Sequence, residues 1–443
     1  MRRRRAWTST AVIGACSSLF LVQTAAAGQY AYMVSYAAEH SDNVGLAASD
    51  QKRELTHVLD SSFALTQVDR NLDARVNARA AYRAYQNNTF ADEATLGLDG
   101  ALLWKPLPET LHWAVNEILT QVVTDPTQAD TPANRVNANV FSTGPDIFWR
   151  LNPVNTVQLS ARYVSNTFSG TNNAVLTTDA DNTRGNGTIK WSYRYSPVTT
   201  LSLGHAAESV RFKDPGVGTN LDFRTQETAL GLTNRRSRNT FTLELGETRI
   251  DRDGQPEVSG TSGRLLWARE LGTGSAFSLS AARSLSDTAR AILAGSGANP
   301  PAGAPLAVNT SDVFVARTYT LDYSRSIGGG NLGVSAFRAK RTFDLATADN
   351  DDARGGKIEY SRIFSERVTS TVLVGFVKTS FPTIMREDEN KAVAASLQYK
   401  FTRRLIGGLS VARQSQSSTD PSANFDENRI ALSLVYNSLP IRW

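Results

Sequence analysis

From Asn71 to Tyr85 the chain alternates between two kinds of residue for about fourteen positions. Leu72, Ala74, Val76, Ala78, Ala80, Tyr82 and Ala84 fall on one side, and Asp73, Arg75, Asn77, Arg79, Ala81 and Arg83 on the other. Side chains of an extended strand point to opposite faces in turn, so this pattern describes a strand with one apolar and one wetted face. It is far longer than the usual five or six residues of a globular strand. The same dyad recurs before it, with Leu55, Leu59, Phe63 and Leu65 set against Glu54, Thr56, Asp60 and Ser62. It returns at Val157 to Tyr163, at Val393 to Phe401, and last at Ile430, Leu432, Leu434 and Tyr436. Helical spacing is sustained nowhere after the first residues.

Short and long connections alternate between these strands. The short ones include Asp69-Arg70, Asn152 to Asn155, Ser196-Pro197 and Gly328 to Gly330, with Asp69-Arg70 read as a two-residue turn. The long ones include 42–52, 168–183, 213–220, 287–311 and 415–425. Nine short turns and ten long loops join twenty strands, with an expected range of 18 to 20. Pro145, after Gly144, is the one proline inside a strand and marks an expected bulge.

Alternation alone also suits a half-buried soluble sheet. The tryptophans decide against it. Trp104, Trp113, Trp149, Trp191 and Trp267 each lie beside a short turn, and Trp443 ends the chain. Aromatic residues gathered at one end of every hairpin make an interfacial girdle. Phe168, Phe212, Phe343, Phe381 and Phe425 sit at the long-loop ends, where a second girdle is expected. A membrane span built of strands must close, because hydrocarbon offers the backbone no partner. The fold expected is therefore all-β: a closed antiparallel transmembrane β-barrel with short periplasmic turns and long extracellular loops.

Residues 1–27 read as an export signal. Arg2 to Arg5 form its basic start, Ala11 to Val22 its apolar core, and Ala25-Ala26-Ala27 its cleavage site, leaving residues 28–443 as the barrel. A lipoprotein signal ending at Cys16 would leave too short an apolar core. Without residues 1–27 the charge falls from +5 to 43 basic against 42 acidic side chains, which removes the basis for nucleic-acid binding. Cys16, the single cysteine, leaves with the signal, and disulfides, thiolate metal sites and cysteine nucleophiles leave with it.

Local motifs carry a family resemblance. Ser35-Tyr36 followed by Ser41-Asp42-Asn43-Val44-Gly45-Leu46, then His57 to Gln67, then Ala80 to Tyr85, resembles the outer-membrane barrels associated with PEP-CTERM/exosortase systems. The likeness extends over most of the mature chain. It implies an outer-membrane location in a Gram-negative envelope and an exopolysaccharide-related role, and the family has no established catalytic set. One departure is Pro440, where the apolar stripe shifts from even to odd positions before Trp443.

The expected wetted wall comprises Asp60, Asp73, Arg75, Arg79, Arg83, Arg162, Lys190, Arg194, Arg224, Glu244, Lys357, Glu359 and Lys400, with Asp60 opposite Arg79 and a mild preference for anions. No plug domain is expected before the first strand. A constriction must come from wall side chains or from the loop at 287–311, whose Ile292, Leu293, Leu306 and Val308 suit either a fold into the lumen or a cap over the mouth. His40 with Asp42 is the sole acid–base pairing worth weighing for catalysis. Acidic turns such as Asp349 to Asp352 and Asp251 to Asp253 lack the spacing of a calcium loop. No cofactor or metal is expected. The expected function is a channel passing exopolysaccharide or other polar solutes, with a general diffusion porin or a non-conducting surface barrel as alternatives. Expected partners are outer-membrane lipid and lipopolysaccharide, the barrel-assembly machinery, and polysaccharide-export components.

Overall fold

The computed structural model describes residues 28–170, 181–213, 222–272, 274–295, 312–344 and 350–442. The export-signal reading of residues 1–27 and the place of Trp443 fall outside them. The first strands are β1 (Gln29–Ser41), β2 (Glu54–Val68), β3 (Leu72–Tyr85), β4 (Glu93–Leu107), β5 (Leu111–Val123), β6 (Arg135–Asn152) and β7 (Asn155–Ser169). Then follow β8 (Asn182–Ser196), β9 (Thr199–Phe212), β10 (Phe223–Arg236), β11 (Asn239–Arg252), β12 (Val258–Gly272) and β13 (Ser275–Ser286). The one α-helix among the described residues, α1 (Thr288–Gly295), precedes β14 (Phe314–Ile327), β15 (Gly330–Phe343), β16 (Asp351–Ile363) and β17 (Val368–Phe381). The chain ends with β18 (Arg386–Lys400), β19 (Leu405–Ser418), β20 (Phe425–Asn437) and the two-residue β21 (Ile441–Arg442).

Each long strand pairs antiparallel with the next, and β20 returns to pair with β1 from Met33↔Asn437 to Ser41↔Arg429. Twenty long strands thus close a cylinder without a free edge. Closure gives every ladder N–H and C=O an internal partner, which is what hydrocarbon requires of a strand. The shift of the apolar stripe at Pro440 also finds its cause here. Pairing with β1 resumes at Tyr30↔Ile441, one residue out of register with Met33↔Asn437. The extra residue turns Ile441, an odd position, outward beside the even Leu434 and Tyr436.

The outer surface is apolar. Leu59, Leu230, Leu245, Ile358, Val393 and Leu432 are all exposed on it. Trp104 and Trp113 pair directly across β4 and β5, while Trp149 and Trp191 flank Val157 on one outer rung. Trp267 lies outward beside Phe241. Three of the indole N–H groups donate to polar partners: Trp113 to Thr143 at 2.9 Å, Trp191 to Asn155 at 3.0 Å and Trp267 to Asn239 at 2.8 Å. An amphipathic ring with one satisfied polar tip is suited to a membrane–water boundary.

Three local expectations are corrected. Phe168, Phe212, Phe343, Phe381 and Phe425 form no second girdle; each is buried and faces inward, as its cross-strand pairing with inward neighbours requires. Phe168 belongs to an interior cluster with Val136, Val140 and Val164, and Phe212 to another with Val210, Phe223 and Ile250. The β2–β3 turn lies one residue later than Asp69-Arg70. The Asp69 N–H donates to the Leu72 carbonyl at 3.0 Å and its carboxylate accepts from the Asn71 and Leu72 N–H groups at 2.7 Å each, which makes Arg70-Asn71 the turn and displaces the register by two. Asp60 therefore lies opposite Ala81, and Ser62 opposite Arg79. A displacement of two leaves the facing of every side chain unchanged. Finally, Pro145 causes no bulge. The β6–β7 register is the same on both sides of it, and the irregularity falls later, between Arg150 and Asn152. Gly144 absorbs the distortion, since a Cβ there would stand 2.0 Å from the Ala161 carbonyl oxygen.

Candidate functional site: the lumen and its constriction

The interior holds a cavity of about 2240 Å³. Its wall mixes apolar residues such as Met33, Val58, Phe63 and Phe277 with small hydrogen-bonding side chains, among them Ser35, Ser62, Asn77, Thr371, Ser396 and Gln398. They line it because each occupies the wetted position of a strand whose other positions meet the outer surface.

Of the expected wall residues, Asp60, Arg79, Arg83, Lys357 and Glu359 line this cavity directly. Lys190 and Glu244 line a smaller hollow of about 140 Å³ between β8 and β11. Asp73, Arg75, Arg162, Arg194 and Lys400 share the inward parity of their strands. Arg224 does not. It lies opposite Asp251, on the same outer face as the exposed Leu230 and Leu245. The reversal starts at Phe223, which turns into the interior cluster and so sets the parity of all of β10.

Most of these inner charges are neutralised by neighbours. Arg79 donates to Asp60 on the adjacent strand, one Nε bond measuring 2.8 Å. Arg83 stands 3.6 Å from Glu39 and 3.9 Å from Glu93. Arg162 is 2.6 Å from Asp146, Lys105 is 2.6 Å from Asp73, and Lys357 is 3.9 Å from Glu359. Nearer the long-loop end Arg341 pairs with Asp351, Arg252 with Asp344, and Arg386 with Asp388. The wall is rich in charge that is paired only in part: Arg236, Arg238 and Arg269 also line the cavity and enter none of these pairs.

The constriction comes from the segment after β13. Asp287 receives two hydrogen bonds from the Arg184 guanidinium, at 2.7 and 2.9 Å, and both side chains are almost fully buried. Arg184 belongs to β8, five strands from β13. At roughly 4.8 Å per strand that is about 24 Å along the wall, far beyond the reach of the two side chains. The chain at Asp287 must therefore lie inside the cylinder. Asp287 then opens the helix: its carbonyl accepts from Ala291 at 2.9 Å and its carboxylate from the Arg290 N–H at 3.2 Å. Arg290 reaches Glu208 on β9 at 2.6 Å, and Asn182 orients Arg184 at 2.9 Å. Ile292 seats the helix on an apolar patch of the inner wall formed by Ile118, Val122, Val136, Val140 and Val164. Thr288, Ala291 and Ile292 border the main cavity.

The loop expectation is thus resolved toward the lumen for residues 287–295; Leu306 and Val308 lie outside the described residues. Arg184, Glu208, Asp287 and Arg290 escaped the sequence reading. The parity of Arg184 on β8 matches that of Lys190 and Arg194 and could have placed it on the wall. Nothing local marks its partner more than a hundred residues later.

The histidine candidates are dispersed. His40 has the outward parity of β1, and the Asp42 carboxylate is occupied by the Asn428 side chain and backbone N–H, both at 2.7 Å. Those two bonds hold the Asp42 carboxyl below its ordinary value. His57 faces outward and accepts from or donates to Tyr36 at 2.7 Å. Asp351 and Asp352 are taken by Arg341 and Arg338. Among the described residues no cluster of His, Cys, Asp and Glu has a metal-binding arrangement.

Residues 351–438, from β16 to β20, match the model of a family described as "Putative beta-barrel porin 2". No curated protein matches the sequence. Among solved structures the chain is similar to the FrpB iron transporter of Neisseria meningitidis, at 8% identity and a TM-score of 0.49 over 93% of this chain and 81% of that one. It is also similar to the siderophore receptor PirA of Pseudomonas aeruginosa, at 11% identity and 0.45 over 94% and 81%. A third is OccK2 of Pseudomonas aeruginosa, solved with glucuronate, at 13% identity and 0.39 over 93% and 98%.

Proposed function

We propose that this porin-like barrel is an outer-membrane channel for polar solutes, with saccharides as the favoured class. The observation that carries the reading is the cavity of about 2240 Å³, bordered by α1 and walled by hydroxyl, amide and charged side chains set among apolar ones. A wall that offers many weak hydrogen bonds between apolar patches lets a polyhydroxylated solute exchange partners as it advances. The family resemblance adds an exopolysaccharide-related setting. Passage of a polymer strand would require α1 to leave its seat, whereas small sugars pass beside it.

Permeation from sugar-loaded liposomes tests this. Oligosaccharides are expected to traverse faster than polyethylene glycols of equal hydrodynamic size, and permeation set by size alone would indicate a general diffusion porin instead. Exclusion of all solutes would reject transport.

Replacing Arg75, Arg79 and Arg83 with Gln leaves Asp60, Glu39 and Glu93 uncompensated on one sector of the wall. Reversal potentials in a salt gradient are expected to shift toward cations. An unchanged potential would remove these arginines from the permeation path.

A further inference from the structure

The outer surface of β14–β17 carries a cluster of cations that the barrel itself balances only in part. Arg317 lies directly opposite Lys340, while Arg338 lies opposite Arg354, which in turn lies opposite Lys378. All five share the face of the exposed Tyr319, Leu321, Ile358 and Val374. Like charges directly across a ladder repel, so this arrangement costs stability unless an anion joins it. Asp352, directly opposite Lys340, reaches Arg338 at 2.6 Å, Glu387 reaches Lys378 at 2.7 Å, and Glu389, directly opposite Lys378, is drawn to Lys391 at 2.7 Å, so three carboxylates face six cations. Arg317, Lys340 and Arg354 have no carboxylate within ion-pair distance among the described residues.

Height on the wall gives the missing anion its identity. The cluster stands on the long-loop side of the apolar rungs Leu321–Ala336 and Ile358–Val374. If the barrel spans the outer membrane as proposed, this is the headgroup level of the outward leaflet, where side chains meet neither hydrocarbon nor free water. Guanidinium groups at that depth match phosphate in both charge and fork geometry. Tyr319, directly opposite Arg338, provides an apolar ledge with a polar tip for the sugar or acyl margin of such a lipid. We infer that Arg317, Arg338, Lys340, Arg354 and Lys378 form a binding site for a phosphorylated glycolipid of the outer leaflet.

The test uses the full chain in detergent titrated with vesicles containing diphosphoryl lipid A, or the same lipid stripped of its phosphates. Wild type is expected to bind the phosphorylated lipid more tightly by about tenfold or more, as cations near a membrane surface each contribute to affinity. The Arg317→Gln/Lys340→Gln/Arg354→Gln variant is expected to lose that preference while its sugar permeation stays unchanged. Arg317→Lys with Arg354→Lys should keep it, separating charge from folding. Equal binding of both lipids by wild type, or an undiminished preference in the Gln variant, would overturn the proposal. So would complete competition by millimolar inorganic phosphate, which would make this a free-anion site. A barrel that keeps the lipid preference but passes no solute would support this site and sink the transport reading.

Discussion

Arg184→Ala is expected to open the channel. The substitution leaves Asp287 buried without its guanidinium partner, while Glu208 keeps Arg290, and breaking a buried pair in this way costs about 3–5 kcal/mol. That cost falls on the docked state of α1, since the undocked loop can hydrate its carboxylate. A shift of this size moves the docking equilibrium more than about a hundredfold toward the undocked, wider lumen. Single-channel conductance should rise to that of the unobstructed lumen. Asp287→Ala, which alters only the loop, should have the same effect, and wild-type conductance in both variants would contradict the constriction. The pH dependence follows from the same pair. Burial by itself would raise the Asp287 pKa, but the Arg184 charge and hydrogen bonds outweigh it and hold the carboxyl below its ordinary 3.8. A depressed carboxyl stabilises docking at every pH above that ordinary value and loses its contribution only as pH falls through the lowered one. Conductance should therefore be flat between about pH 5 and 8 and increase only in stronger acid.

The second large effect concerns facing. Leu432 and Ser433 are neighbours on β20, yet one is exposed on the outer surface and the other lines the cavity. Leu432→Arg places a charge in hydrocarbon and should cost about 2–4 kcal/mol of barrel stability. Ser433→Arg places the same side chain in water and should leave folding intact while lowering conductance. Equal tolerance of the two would mean that the outer surface does not meet lipid.

These effects divide along the line between what alternation encodes and what it does not. The facing of Arg75, Arg79 and Arg83 was legible because period two is a local property, and it survived even a two-residue error in register. Arg224 was misplaced for the complementary reason. Parity restarts after each loop, and the stretch before Phe223 carries no alternation to carry it across. The five strand-end phenylalanines show a different ambiguity. An aromatic at a strand end serves a lipid interface or a packed mouth equally well, and only its parity relative to the whole strand separates them. The docking of α1 was hidden more deeply. Arg184 and Asp287 are each ordinary polar residues, and their meeting depends on closure of a cylinder that brings the interior of β8 within reach of the chain after β13.

Closure is also the premise for every statement about a lumen, and it can be measured at the seam. Ala37 and Ser433 are direct partners across β1 and β20, nearly four hundred residues apart in the chain. Introduced together as Ala37→Cys and Ser433→Cys in a Cys16→Ser background, they should crosslink rapidly with a short thiol-reactive bridge in folded protein and run as a circularised band on a denaturing gel. Ala37→Cys paired with Gly375→Cys, on β17, should not crosslink. Failure of the seam pair to link, or equal linkage of both pairs, would show that the first and last strands do not meet and that the sheet is open.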